Sequence, residues 1–105
     1  MNNHKEVKKI FEKFYALRSN DIGYVECKNK CENYLKRVIY GLGENIRWKN
    51  SSFIEQMKSR AFELAKEVLY RRQFPVQSGE SVFTFFNRLA WRDFTFAVTH
   101  KVFEA

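Results

Sequence analysis

A chain of 105 residues, 45% of them hydrophobic and with a formal net charge of +7, has room for one domain with one modest core and is too apolar to stay disordered. The basic excess, with a pI of about 9.6, points to three kinds of partner: nucleic acid, an anionic membrane surface or an acidic protein. No apolar run reaches the length of a transmembrane helix and the start MNNHKEVKK lacks a signal-peptide apolar segment, so a cytoplasmic setting is the expectation.

Only 4 glycines and 1 proline interrupt the chain, which favours long elements and hence an all-α fold. Asn2 or Asn3 can cap a first helix running to about Arg18, with Val7, Ile10, Phe11, Phe14 and Tyr15 at helical spacing. Ser19-Asn20-Asp21 offers a break and a new N-cap. A second helix is predicted from about Ile22 to Tyr40, with Tyr24, Cys27, Cys31, Tyr34, Leu35, Val38 and Ile39 on one side and Gly41-Leu42-Gly43 ending it. Cys27 and Cys31 share a helix face and read as packed thiols. The histidines at positions 4 and 100 lie too far away to complete a metal site with them.

A polar connection follows from Glu44 to Asn50, and the sequence leaves open whether its Trp48 caps the core or faces solvent. Ser51 or Ser52 with Glu55 resembles a capping box that opens a third helix, whose predicted buried stripe is Ile54, Met57, Ala61, Leu64, Ala65 and Val68. Arg71 and Arg72 cluster at its end, and the loop from Phe74 to Glu80 must be ordered or functional in a chain with so few loops. Ser81 starts a fourth helix. The expected architecture is a compact four-helix single domain over residues 1–105.

The fourth helix is unusual. At about 100° per residue, Val82, Phe83, Phe86, Leu89, Ala90, Phe94 and Ala97 form one apolar arc, the expected core face. Trp91 falls nearly opposite, among Thr84, Asn87, Arg88, Thr95 and Val98, with Phe85, Arg92 and Phe96 on one shoulder. Leaving large aromatic area in water forgoes roughly 1.5–3 kcal/mol per side chain, so this second face calls for an explanation. It can pack on the first helix, bind a protein or stack unpaired bases while Arg neutralises phosphate.

The run Phe83-Thr84-Phe85-Phe86-Asn87-Arg88-Leu89-Ala90-Trp91-Arg92-Asp93-Phe94 resembles region 2 of sigma factors, most closely the late-gene sigma factors of large tailed phages. Phe83, Phe85, Phe86, Trp91 and Phe94 fall in the register of that family's aromatics, and Phe74-Pro75 through Gly79 is similar to its connector. The resemblance covers Ser51 to Phe103. The connector lacks the family's Asp, and Leu89 and Ala90 stand where primary bacterial sigma factors carry two tryptophans. No segment matches the family's −35-reading helix-turn-helix region.

The resemblance implies a minimal or split sigma factor, in the split case with a second small protein supplying upstream promoter contacts. It implies that the third helix docks on the clamp helices of the largest subunit of RNA polymerase core, through Glu55, Gln56, Arg60 and Glu63. It further implies that the fourth helix recognises and melts a −10-like promoter element on the non-template strand. Phe85, Phe86, Arg88, Trp91, Arg92 and Thr95 are its candidates for DNA contact, with Lys101, Arg71 and Arg72 near phosphates. Phe86 aligns with the family aromatic that meets a flipped base, yet the helical wheel puts it in the core; both readings stand at this point. The alternative is a small helical interaction module, a phage regulator or assembly subunit, that binds a partner protein through the aromatic face. The sequence shows no catalytic constellation and calls for no cofactor.

Overall fold

The computed structural model describes residues 4–104 and contains four helices: α1 (His4–Ala16), α2 (Tyr24–Gly43), α3 (Ile54–Tyr70) and α4 (Val82–Thr99). The fold is all-α, as the scarcity of turn-making residues implies. α4 is the central element and packs on the other three, while α1 packs on α2 and α4.

α1 buries Val7, Phe11 and Phe14, the i, i+4, i+7 stripe read from the sequence. Its expected cap at Asn2 or Asn3 lies outside the described residues. The turn after it differs from expectation. The Asp21 carboxylate accepts the Arg18 N–H at 2.8 Å and so holds the turn rather than capping α2. Gly23, at φ 86°, takes the N-cap position in the left-handed region that glycine tolerates.

α2 does not stop before Gly41 but continues through Gly43. Gly43 is where α2 meets Lys58: a Cβ there would sit 2.4 Å from the lysine Cε. Lys58 is buried and its ammonium lies between Glu44 at 3.2 Å and Glu55 at 3.1 Å. α2 thus ends within the glycine segment, and the missing Cβ of Gly43 leaves room for Lys58. Within α3, Lys58 also pairs with Glu55 at i, i+3, and the capping box does not form. α3 begins at Ile54 with no side-chain cap, and the Ser51 hydroxyl accepts the Phe53 N–H at 3.3 Å instead.

α3 buries Met57, Ala61, Ala65 and Leu69. Leu64, placed in the predicted stripe, is 37% exposed, because it faces a hollow between α3 and α4 rather than the core. Cys27 and Cys31 are buried free thiols packed beside the Ile10 carbonyl, with sulfur–oxygen distances of 3.4 and 3.9 Å. Burial pushes the Cys31 thiol well above its ordinary range.

The loop after α3 is ordered by polar straps to α1. The Phe74 N–H donates to the Tyr15 hydroxyl at 2.8 Å, and burial pushes that hydroxyl up to about 12. The Lys8 ammonium donates to the carbonyls of Ser78 and Glu80. Phe74 itself is buried and rests edge-on against Phe85 at 5.2 Å, close to the rings of Phe11 and Phe86. Ser81 then caps α4 as expected, its hydroxyl accepting the Thr84 N–H at 3.0 Å.

Candidate nucleic-acid interface

α4 buries Val82, Phe86, Ala90, Phe94 and Ala97, most of the predicted arc. Two members of that arc depart from it. Phe83 is 43% exposed beside His4, where the first turn of α4 overhangs the start of α1, and Leu89 is only half-buried. Asp93 joins the buried face unexpectedly. Its Oδ1 pairs with Arg60 Nε at 3.2 Å, while its Oδ2 has no hydrogen-bond partner among the described residues. Burial raises the carboxyl above its ordinary range, although the Arg60 charge opposes this.

The opposite face is a strip of aromatics and cations. Trp91 is 38% exposed and Phe96 is 46% exposed. A hollow of about 430 Å³ runs between Trp91, Arg92, Thr95, Phe96, Thr99 and His100. His100 stacks on Phe96 with ring centroids 4.1 Å apart, and its Nδ1 lies 3.1 Å from the Phe96 carbonyl oxygen. The Thr95 hydroxyl has no partner among the described residues.

The 44–53 connection packs against Trp91 beside this hollow. Trp48 is 4% exposed, which answers the question the sequence left open: it closes the end of the core. Its ring meets Trp91 edge-on at 5.3 Å and Phe94 at 5.5 Å. The Arg47 guanidinium lies 4.9 Å from the Trp48 ring and 5.3 Å from the Trp91 ring. Such contacts hold a cation beside an aromatic surface without consuming its charge.

A second hollow, of about 410 Å³, lies along the α3–α4 seam and is lined by Leu64, Phe85, Arg88, Leu89, Arg92, Asp93 and Phe96. Arg92 and Phe96 line both hollows, so the two form one continuous strip. The Arg60 guanidinium, 5.3 Å from the Phe96 ring, ties the strip to α3.

The structure therefore brings Trp91, Arg92 and Thr95 together and corrects several neighbours. Phe86 has no exposed surface and packs on Phe11 at 6.0 Å, so it is a core residue and does not present a ring to a base. Phe85 is half-buried between Phe74 and the second hollow. Arg88 lines that hollow but pairs with Glu80 at 2.6 Å. Arg72 is not free for phosphate: its guanidinium donates to the carbonyls of Leu17 at 2.9 Å and Tyr15 at 3.3 Å. Arg71 pairs with Glu67 at 2.8 Å on α3, outside the strip, and Lys101 lies beyond the end of α4 and lines neither hollow.

On α3, Gln56 is exposed, Glu63 is exposed and pairs with Lys66 at 2.7 Å, and Glu55 is held by Lys58. Arg60, placed with them from the sequence, turns instead to Asp93 and belongs to the α4 strip. The residues that sequence reasoning missed are Arg47, Trp48, Asp93 and His100. Asp93 carried a signal, a lone carboxylate between Ala90 and Ala97 on an apolar arc. Arg47 carried none, because its place depends on how the connection folds back.

Compared with known proteins, the chain matches no family model, no curated protein sequence and no solved structure.

Proposed function

We propose that this protein is a sigma-like initiation factor that holds unpaired promoter DNA on the outer strip of α4 while the exposed side of α3 docks on RNA polymerase core. The observation that carries the reading is the open run of Trp91, Arg92 and Phe96, flanked by Arg47 and His100. Aromatic faces interleaved with cations suit single strands, since every base has a stacking face worth about 1–3 kcal/mol and every nucleotide a phosphate. With Phe86 sealed in the core and Phe96 already stacked by His100, Trp91 is the partly exposed ring of the strip that is offered to a base that has left its stack. On α3, Gln56 and Glu63 are exposed and offer a polar surface.

The test is a pull-down with RNA polymerase core, followed by binding to a forked, −10-like DNA. The reading expects tight core binding, weak DNA binding by the free protein and strong fork binding by the complex. Trp91→Ala should weaken fork binding by about 1–3 kcal/mol and leave core binding intact, whereas Glu63→Lys should weaken core binding. Failure to bind core would falsify the polymerase half, and equal loss of both activities in Trp91→Ala would make that residue structural. The second reading, a partner-binding module, draws on the apolar walls of the seam hollow, Leu64, Phe85 and Leu89. It expects no affinity for core or fork.

A further inference from the structure

A second concave surface lies away from the α4 strip. It follows the outer side of α2 against α1 and encloses about 780 Å³. Its floor is apolar and aromatic, built from Val7, Ile10, Tyr34 and Tyr40, and its rim is Lys30, Lys36 and Arg37. Among the described residues, no carboxylate lines it. Lys30 pairs with Glu26 at 3.3 Å, but Lys36 and Arg37 have no carboxylate partner among the described residues. They rest on the groove's own rings, Lys36 5.4 Å from Tyr40 and Arg37 5.8 Å from Tyr34.

We infer that this groove docks an acidic amphipathic helix of a partner protein, its apolar face on Ile10, Tyr34 and Tyr40 and its carboxylates on Lys36 and Arg37. Three features select this occupant. The groove runs from Lys30 to Tyr40 along α2, about 15 Å at the helical rise, which is three turns of a third helix laid against two. Beside the neutral Asn33, every charged residue that lines it is basic, so the complementary partner is acidic. Its rings are already engaged. Tyr34 meets Phe11 edge-on at 6.2 Å and carries Arg37, and Tyr40 has the ammonium groups of both Lys36 and Lys58 within 5.4 Å. Held by these contacts, the rings form a preset apolar floor for a docking helix. A concave trough is the wrong shape for a bilayer surface. Helix-in-groove docking is left as the mode that uses both floor and rim.

The test uses the full chain and a designed helical peptide of about fourteen residues, four turns, with Leu at i, i+3, i+4 and i+7 and Glu on the flanking positions. Fluorescence anisotropy is expected to show saturable binding, and amide shifts in the unsubstituted protein should localise to Ile10, Tyr34, Arg37 and Tyr40. The double substitution Lys36→Glu, Arg37→Glu should weaken binding roughly tenfold or more. The milder Arg37→Gln should weaken it by less, and Trp91→Ala should not change it. The inference is overturned if the acidic peptide does not bind, if a Lys-for-Glu version binds as well, or if the double substitution leaves affinity unchanged. It is also overturned if oligo-dT or phosphatidylglycerol vesicles displace the peptide and shift the same residues. Because Trp91 lies outside the groove, each result stands apart from the fate of the promoter-binding reading.

Discussion

The inner and outer faces of α4 are built from much the same residues and have different fates. Phe86 and Phe94 are sealed, while Trp91 and Phe96, within three and two positions of Phe94, stand partly open beside Arg92. Aromatic content therefore says little about a residue's role here; angular position on the helix says most. A buried ring contributes through area removed from water and close packing. An open ring forgoes that gain, and a binding surface is one reason a fold keeps it. The strip is also held firmly from behind: Trp91 leans on the buried Trp48 and Phe96 on Arg60, so neither ring is a loose surface group.

The comparison can be broken most severely from inside. Phe94→Ala should cost about 3–5 kcal/mol of stability, read as a shifted denaturant midpoint, because its fully buried ring also supports Trp48. Trp91→Ala should cost only about 1 kcal/mol of stability, yet remove about 1–3 kcal/mol of single-strand binding, measured by titration with a short oligonucleotide in complex with polymerase. If the two losses are reversed in size, the outer face is core.

The next effect lies where the faces meet. Arg60→Ala leaves the Asp93 carboxylate buried without its ion-pair partner and should cost about 1–2 kcal/mol. Asp93 titrates in the direction burial dictates, with its folded pKa above the unfolded one. Its contribution to stability is thus fully present below the unfolded pKa and is lost as pH rises through the folded pKa. Asp93→Asn should flatten that part of the stability–pH curve, and thermal melts across the carboxylate range check it. Smallest of all, Arg92→Ala should lower the slope of log affinity against log salt by roughly 0.7 for a single strand, with little change in melting temperature.

Much of this fold was legible in the chain. The stripe of α1, the thiol pair on α2, the Ser81 cap and most of the α4 arc follow from periodicity and local hydrogen bonding. The glycine segment does end α2, though three residues later than expected, while the capping box gave way to the Glu55–Lys58 pair. The Lys58–Glu55 pair is local to α3, whereas the contacts of Lys58 with Gly43 and Glu44 join α3 to the end of α2 and could not be read from either helix alone. The candidate site divides the same way. Trp91, Arg92 and Thr95 share one face and could be read from one helix. Arg47 and Arg60 arrive from elsewhere, and Arg72 leaves, because its positive φ of 54° at the end of α3 sends its side chain back to α1.

That last feature bears on the order in which the molecule assembles. Arg72 to Leu17, Phe74 to Tyr15 and Lys8 to Glu80 join residues 55, 59 and 72 positions apart in sequence. Each closes a long loop whose entropy is lost before the bond can form. α1 packs on its sequence neighbour α2, but among the described residues it has no packing contact with α3 that would bring the ends of these straps together. Closure of the straps should therefore follow packing of the helices, and Arg72→Ala should speed unfolding while hardly slowing folding. Stopped-flow chevrons in which the refolding limb slows as much as the unfolding limb quickens would place the Arg72 strap in the nucleus instead.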